Sequence, residues 1–352
     1  MPRGLKLQTQ ALDVAEFINR GFNASMDSQL KGRVKGMVLG QFLGDAASLG
    51  VHWIYNTKDI EVAHPGGLKG FEVPAEGHYH AGKLSGDPTH YGDAAWILLE
   101  VLAKETTFNV VDFGLKFVEK MDPNKGYSGY FDSATRGTIE NYKSHMDVSN
   151  EPYDFQEGAD DDQLATITVL AVLIAFYVSR KEGLPKDRAE IFEHVEILTR
   201  VRQNNDRAVA YCRAHTRLLL EILSGRDLHS AFHHVEEQLD SGDKLDREVR
   251  RKLKEAFQMK HKSTLQATEV LGQSCPLICS FPSAIQATAK HNEDFRTAIL
   301  ETAGAGGDNS GRAAMIGSWI GARIGLQALP NEWVGKLNRS EEIFSILEEW
   351  GL

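Results

Sequence analysis

The sequence predicts an all-α protein with one large multi-helix domain. Apolar residues recur at spacings of three and four along twelve segments, which is the period of a helix with one buried face. The alternating pattern of a half-buried strand is absent apart from a weak candidate at 67–73, which Gly and Pro flank. No Pro/Ser-rich linker or internal repeat divides the chain. We therefore expect residues 31–352 to form one domain, preceded by an N-terminal extension or helix over residues 1–30.

The predicted helices follow in order along the chain. Their ranges are 34–49, 94–102, 111–121, 164–178, 191–201, 208–223, 228–239, 249–257, 284–289, 295–302, 313–326 and 341–350. Several are apolar around most of their circumference, as expected of central helices that pack on many sides. Long loops are expected at 55–89, which is rich in Gly and His, and at 141–157. Loops of this length inside a compact domain are usually functional or disordered.

Composition excludes several classes of protein. The 352 residues are 42% hydrophobic and 25% charged, which is typical of a soluble globular protein. The net charge of -10 disfavours nucleic acid, which needs a basic face. The longest apolar run, 164–178, is too short to cross a bilayer, and three cysteines fit a reducing, cytoplasmic compartment. We expect a small-molecule substrate as the partner, and neither nucleic acid nor membrane.

Four segments combine small residues and acids beside apolar helices. They lie at 40–53, 88–96, 158–163 and 304–314. In the first, Asp45 stands within an apolar helix, where a lone carboxylate is costly unless it is paired or hydrogen-bonded. Gly40 and Gly44 in the same segment let another backbone come close. In the second, Asp93 stands at the start of an apolar helix, where a carboxylate suits the helix dipole.

The other two segments are open to the same two interpretations, a helix cap or a site. Residues 158–163 place three adjacent acids before the predicted 164–178 helix, where one acid would suffice as a cap. Residues 304–314 form a glycine-rich helix start whose free N–H groups suit an anion, although both nucleotide-binding fingerprints are missing. Each segment alone is best interpreted as a cap. Four of them beside interior helices favour a shared pocket.

In this order the segments resemble the motifs of the ADP-ribosylglycohydrolase family, and in particular its J1-crystallin branch. The resemblance rests on Gly-Asp-Ala at 44–46, Asp-Ala-Ala-Trp at 93–96, Asn-Asn-Asp at 204–206 and Gly-Gly-Asp-Asn-Ser at 306–310. It covers most of the chain. It implies an all-α fold with two divalent ions, often magnesium, that bind ribose hydroxyls and position water. The implied reaction is hydrolysis of the bond between ADP-ribose and a protein side chain or small leaving group.

The chain departs from the metal ligands that the resemblance implies. Where the family has Thr-Asp-Asp, this chain has Tyr-Gly-Asp at 91–93, and where the family has Asp-x-Asp-Thr, it has Asp-Asn-Ser-Gly at 308–311. Asp93 and Asp308 remain as carboxylates, and both are expected metal ligands. Two divalent ions bring about four positive charges, which two carboxylates leave largely uncompensated. The expectation is therefore one divalent ion, Mg²⁺ or Mn²⁺, or none.

Arg312 offers an alternative to a metal ion. It lies four residues after Asp308, which places both on one face of a helix. One hypothesis is that its guanidinium takes the place of a cation, either by pairing Asp308 with Asp93 or by receiving an anionic group of the ligand. The other is an ordinary surface pair with Asp308.

Catalytic roles are expected for His52, Asp93 and Asp308. Asp93 and Asp308 would organise an ion or ordered water. His52 is the candidate general base, because a reference pKa near ~6.5 suits proton transfer near neutrality. The candidate substrate-binding residues are Asp45, Trp53, Tyr91, Asp162, Asn205, Ser310 and Arg312.

Two functions remain open at this point. The first is an ADP-ribosylglycohydrolase-like hydrolase that acts on a glycosidic or related C–N bond of an ADP-ribose-like or small polar substrate, with Trp53 or Tyr91 stacked on a ring of that substrate. The second is a catalytically inactive ligand-binding or crystallin-like structural protein on the same scaffold.

Overall fold

Sixteen α-helices run through residues 26–352, the part of the chain that this computed structural model describes. They are α1 Ser28–Ser48, α2 Thr57–Ala63, α3 His90–Leu102, α4 Val110–Lys120, α5 Ser133–Val148, α6 Leu170–Arg180, α7 Ala189–Arg202, α8 Asp206–Leu223, α9 Leu228–Gln238, α10 Lys244–Gln258, α11 Thr264–Leu271, α12 Leu277–His291, α13 Phe295–Gly304, α14 Asn309–Ile324, α15 Asn331–Val334 and α16 Ser340–Glu349. Within this part the backbone forms no strand, only one isolated bridge between Ala159 and Gln203. The all-α, single-domain prediction is confirmed. The N-terminal extension predicted for residues 1–30 lies outside the described residues apart from 26–30.

The centre of the fold is the pair α1 and α14, whose backbones touch. A Cβ atom on Gly40 would lie 2.1 Å from the carbonyl oxygen of Gly317, and one on Gly44 would lie 2.0 Å from that of Ala313. Only glycine at these positions allows so close a contact. The predicted role of Gly40 and Gly44 is thus confirmed. The contact aligns the end of α1, which carries Asp45, with the start of α14.

The predicted helix at 164–178 begins later than expected. A 3-10 turn spans Ile167–Val169, and α6 follows from Leu170 with every residue to Ser179 buried. The Gln203 side chain explains the delay, because its oxygen accepts the Thr166 N–H at 2.8 Å while its nitrogen donates to the carbonyls of Asp161 and Gln163. These bonds occupy backbone groups of the segment before α6 and keep that segment in bends and turns. The acids at 160–162 therefore do not cap α6, which begins without a side-chain cap.

Both predicted long loops are partly helical. Helix α2 lies inside 55–89, and α5 continues through 141–148. No strand forms at 67–73. None of the helices between residues 26 and 352 is both long and apolar enough to cross a bilayer.

Candidate functional site

The first turn of α3 joins the ends of α1 and α14. Asp45, which is 1% exposed, accepts hydrogen bonds from both the backbone N–H and the hydroxyl of Thr89. Thr89 is itself the N-cap of α3. Two residues further on, the Tyr91 hydroxyl donates to Asp308 at 2.6 Å. Asp45 and Asp308 are thus both tied to one helix turn, as the predicted convergence of these segments requires.

Asp308 starts α14 and is fully buried. One carboxylate oxygen accepts the Gly311 N–H at 3.3 Å, which makes Asp308 the N-cap of the helix. Gly306 and Gly307 before it have φ values of +69° and +67°, a left-handed turn that suits glycine. This turn exchanges backbone hydrogen bonds with Trp53 and Ile54 at 2.8 and 2.9 Å. The segment after α1 and the start of α14 are therefore fixed to each other.

His52 is buried beside Asp308. Its Nε2 atom lies 3.8 Å from Asp308 Oδ1, and its Nδ1 atom lies 3.2 Å from Asn309 Oδ1. The Asn309 amide nitrogen donates to two carbonyls, so its oxygen faces Nδ1 as an acceptor, and the Ser310 backbone N–H also points to Nδ1 at 3.3 Å. Burial lowers the pKa of His52 well below its usual value. The imidazole is thus uncharged, and its Nε2 atom has no hydrogen-bond partner among the described residues.

A cavity of about 360 Å³, here called the aromatic cavity, opens in front of these groups. Its lining residues are Trp53, Tyr55, Tyr79, Tyr91, Tyr130, Asp132, Ser133, Arg136, Asp161, Gln163 and Cys275. The volume lies in the range of sites for small molecules. Trp53 and Tyr91, both predicted to bind substrate, are on its wall. His52 does not line the cavity. The rings of Trp53 and Tyr91 pack against the His52 ring, with centroid distances of 4.1 and 6.0 Å.

The expected meeting of Asp93 with Asp308 is not found among the described contacts. Asp93 accepts hydrogen bonds from Lys83 at 2.9 Å and from the Tyr127 hydroxyl at 3.0 Å. It lines a separate cavity of about 520 Å³ with Arg339, here called the outer pocket. Residues two apart on a helix point in different directions, so Tyr91 and Asp93 cannot face one site. A catalytic or metal-binding role for Asp93 stays a prediction.

Arg312 is buried, and its contacts correct two of the predictions for it, the pairing of Asp308 with Asp93 and the surface pair with Asp308. Its guanidinium donates to the backbone carbonyls of Asp308, at 3.1 Å, and of Gly306. It forms no ion pair with a carboxylate of the described residues, and at 1% exposure it is not part of a surface pair. Burial lowers its pKa to about 10. The residue braces the turn before α14, and its role in binding an anionic ligand group stays a prediction.

Three further predicted substrate-binding residues have contacts of their own. Asp162 forms an ion pair with Arg207 at 2.8 Å. Asn205 caps α8 and donates to Asp160 at 2.7 Å. Ser310 is fully buried, and its hydroxyl has no hydrogen-bond partner. Of the three, only Ser310 lies next to His52, through its backbone N–H at 3.3 Å from Nδ1.

Several residues of the aromatic cavity were not predicted from the sequence. Asp161 accepts the Ser133 hydroxyl at 2.7 Å and the Gln203 amide at 2.9 Å. Asp132 caps α5 and lies 3.3 Å from His90 Nε2. Burial raises the pKa of Asp132, but the contacts with His90 and the charge of Arg202 outweigh burial and hold the pKa below its usual range. The carboxylate at the cavity wall is therefore ionised at neutral pH.

Two signals in the sequence pointed to some of these residues. The loop at 55–89 stands out for its histidines, and His90 belongs to the Pro-Thr-His-Tyr-Gly-Asp segment at 88–93. His52, His80 and His90 form one buried cluster, in which one ring nitrogen of each lies within 4.8 Å of the others. The cluster could hold a metal ion. Tyr130, Cys275 and Asp132 lie at loop or cap positions, which give no periodic signal.

The chain is similar to known proteins along most of its length. A family model described as ADP-ribosylglycohydrolase matches residues 26–351, and the chain belongs to this family. It is similar to crystallin J1A of Tripedalia cystophora, with 25% identity over 317 residues that cover 87% of this chain and 92% of that protein. Crystallin J1B of the same organism is 22% identical over 258 residues, covering 72% and 76%. The predicted resemblance to the J1-crystallin branch is confirmed.

A solved structure has the same fold. It is titled as an ADP-ribosylglycohydrolase-related protein complex, and it superposes with a TM-score of 0.67 at 19% identity, covering 92% of this chain and 98% of that one. The likeness shows a shared fold, and it is the family membership that makes the scaffold hydrolase-like.

Proposed function

We propose that the chain hydrolyses a glycosidic or related C–N bond in an ADP-ribose-like or small polar substrate held in the aromatic cavity. The observation that carries this proposal is the composition of the cavity wall. Aromatic rings suited to stacking on a base or sugar share the wall with two carboxylates, Asp132 and Asp161, and with Arg136, which suits a phosphate. The membership of the family supports the reaction class.

The chemistry assigned to the carboxylates is general for glycoside cleavage. The C–N bond breaks as positive charge develops at the anomeric carbon, and an ionised carboxylate stabilises that charge. A water oxygen forms the new bond to the same carbon. One proton of the water passes to a carboxylate acting as general base, and the leaving nitrogen takes up an equivalent proton from solvent, so that one water adds across the broken bond. Asp161 and Asp132 are the acids that contact the cavity, so we assign to them the stabilisation of the positive charge and the general-base step. A direct role for His52 as base would require Trp53 to move.

Magnesium on Asp93 and Asp308 is not part of this proposal. Asp93 lines the outer pocket whereas Asp308 is fully buried, and each already accepts hydrogen bonds from its own donors. Lys83 and Arg312 also place positive charge beside these acids. Mg²⁺ needs several oxygen ligands around one point, and the described residues do not present them there. No step is therefore assigned to that ion.

The compartment and partner follow the same proposal. All three cysteines are free thiols, which suits a reducing, cytoplasmic compartment. A small cavity with one arginine suits a small molecule rather than nucleic acid or a membrane surface.

Release of free ADP-ribose tests the proposed function. The purified chain would be incubated with ADP-ribosylated arginine and serine peptides and with nicotinamide dinucleotide, and products followed by chromatography. Asp161→Asn should reduce turnover of the accepted substrate by about 10²-fold or more. Asp160→Asn is the matched control, because Asp160 is exposed and contacts Asn205 instead of the cavity. Turnover that survives Asp161→Asn unchanged would contradict the assignment.

A second function has its own support. The similarity to two crystallins favours a catalytically inactive protein that binds a ligand in the cavity or serves as a structural protein. A rise in melting temperature with ADP-ribose, together with no turnover of any probe, would favour this alternative, since a ligand that prefers the native state stabilises it. Neither a rise nor turnover would favour a purely structural role.

A further inference from the structure

A second site lies behind the aromatic cavity, in the histidine cluster formed by His52, His80 and His90. His52 follows the 3-10 turn Leu49–Val51, His80 lies in the segment before α3, and His90 is the first residue of α3. None of the three side chains is more than 2% exposed. Within residues 26–352 this is the group of three potential metal ligands whose atoms come within 4.8 Å of one another.

The ring nitrogens of this cluster lack partners. Among the described residues His52 Nε2, both ring nitrogens of His80 and His90 Nδ1 have no hydrogen bond, and His90 Nε2 contacts only Asp132. A buried polar group without a partner is unfavourable, and native proteins rarely leave so many together. The cluster therefore needs a species that accepts several lone pairs at once. A metal ion does so directly.

Two of the rings are oriented as metal-bound histidines are. The other nitrogen of His52 faces Asn309 Oδ1 at 3.2 Å, and His90 Nε2 faces Asp132 Oδ2 at 3.3 Å. A histidine that binds a metal usually directs its second nitrogen to a carboxylate or amide oxygen in this way, which fixes the tautomer and the ring orientation. His52 is left with Nε2 for an ion, and His90 with Nδ1.

His80 is positioned by its neighbour. His78 Nε2 donates to the His52 carbonyl at 2.7 Å, and His78 Nδ1 accepts the His80 N–H at 3.0 Å. The loop is thus pinned directly over His52. Nitrogens bound to one zinc ion are about 3.3 Å apart, because each lies about 2.0–2.1 Å from the metal. Since the ring nitrogens of the cluster lie within 4.8 Å of one another, binding would draw the three rings slightly closer together.

The ligand type decides which ion fits. Three imidazoles suit zinc and its neighbours in the first transition series, whereas magnesium and calcium require oxygen. Asp308 Oδ1, 3.8 Å from His52 Nε2, is near enough for a fourth ligand or for a hydrogen bond to a bound water. We propose that His52, His80 and His90 form a binding site for one divalent transition-metal ion, with zinc as the best match. The site does not depend on the proposed hydrolysis.

Trp53 separates the ion site from the aromatic cavity. Its ring lies 4.1 Å from His52, 5.3 Å from His90 and 5.5 Å from His80, centroid to centroid. The residue has a φ of +61°, which is a strained conformation for a bulky side chain. The backbone N–H of Trp53 donates a hydrogen bond to the Gly307 carbonyl at 2.8 Å. This hydrogen bond holds the strained backbone in place. The indole then stays over the cluster and excludes bulk water from the bound ion.

Metal content and metal-dependent stability test this site. The full chain would be purified without a histidine tag or chelator, and its metals measured by mass spectrometry. The chelator-treated protein would then be titrated with Zn²⁺ and with Mg²⁺ by calorimetry and thermal melting. We expect one zinc ion per chain, a higher melting temperature with micromolar Zn²⁺, and no change with millimolar Mg²⁺. Cobalt loading should give the visible absorption of a nitrogen-ligated ion.

Variants make the test specific. His80→Gln should weaken zinc binding by at least 100-fold and remove the thermal shift. His80 lies in a loop, so this variant should fold even if His52→Gln or His90→Gln does not. His261→Gln, at an exposed position outside the cluster, is the control and should bind zinc like the parent chain. Binding that is sub-stoichiometric, or equal in His80→Gln and the parent chain, would overturn the proposal. The hydrolase proposal would be unaffected, since it is read from Asp161→Asn.

Discussion

Tyr91 and Asp93 share one helix turn yet face different surroundings. The Tyr91 hydroxyl enters the buried side, where it donates to Asp308 next to His52. Asp93 faces the outer pocket, where Lys83 and Tyr127 satisfy it and 18% of its side chain is exposed. The inner side, with Tyr91, Asp308 and His52, keeps polar groups away from water. The outer side, with Asp93 and Lys83, has an ion pair that water screens. The contrast indicates that the groups adjusted for function are on the inner side.

The largest expected effect comes from the contact that builds the inner side. Gly40→Ala places a methyl group 2.1 Å from the Gly317 carbonyl oxygen, and neither backbone can give way easily. We expect a loss of about 3 kcal/mol or more in the free energy of unfolding, measured by urea denaturation. Gly32→Ala in the same helix has no atom within 4 Å of the new methyl. It should be neutral or stabilise by up to about 1 kcal/mol. Equal effects of both variants would refute the backbone contact.

Asp45 should make stability depend on pH. Burial raises its pKa from 3.8 to about 6, so between these values the folded state holds a proton that the unfolded chain releases. Stability from this group is fully present below pH 4 and is lost as the pH rises through 6, by about 3 kcal/mol in total. Denaturation curves of Asp45→Asn should lack this fall. Asp59→Asn, at an exposed position, controls for the substitution itself. Parallel curves for Asp45→Asn and the parent chain would contradict the prediction.

The two tyrosine hydroxyls around the α3 turn form a matched pair. Tyr91→Phe removes a donor from a fully buried carboxylate and should cost about 2 kcal/mol. Tyr127→Phe removes a donor from Asp93, which keeps Lys83 and contact with water, and should cost less than about 1 kcal/mol. Thermal melting at neutral pH measures both. A larger loss for Tyr127→Phe would reverse the contrast between the two sides.

The smallest effect is expected at the outer ion pair. Lys83→Met removes the partner of Asp93, but the pair is partly exposed and should contribute no more than about 1 kcal/mol. That contribution should shrink further at high salt. Turnover of a substrate found for the parent chain should be unchanged in this variant. A strong fall in turnover would show that the outer pocket takes part in function.

Twelve of the sixteen helices in residues 26–352 were predicted, because their apolar periods reflect burial, whereas α2, α5, α11 and α15 were missed. The sequence misplaced the start of α6, since the side chain of Gln203, distant in sequence, takes over the backbone hydrogen bonds before it. The joining of Asp45 and Asp308 to one turn was predictable from small residues and acids beside apolar helices. The motif resemblance did not predict that Tyr91 and Asp93 face different surroundings, because it gives positions along the chain and no side-chain directions. His80 and Cys275 were missed because loop residues have no period.

The glycine contact between α1 and α14 also has a consequence for biosynthesis. The two helices stand near opposite ends of the described chain, at Ser28–Ser48 and Asn309–Ile324. Helix α1 leaves the ribosome long before α14 does, so the apolar face of α1 has no partner during most of translation. Contacts this distant in sequence also slow the search for the native state. The nascent chain should therefore depend on chaperones until its last helices emerge, and shortened products ending before Asn309 should be cleared by proteases.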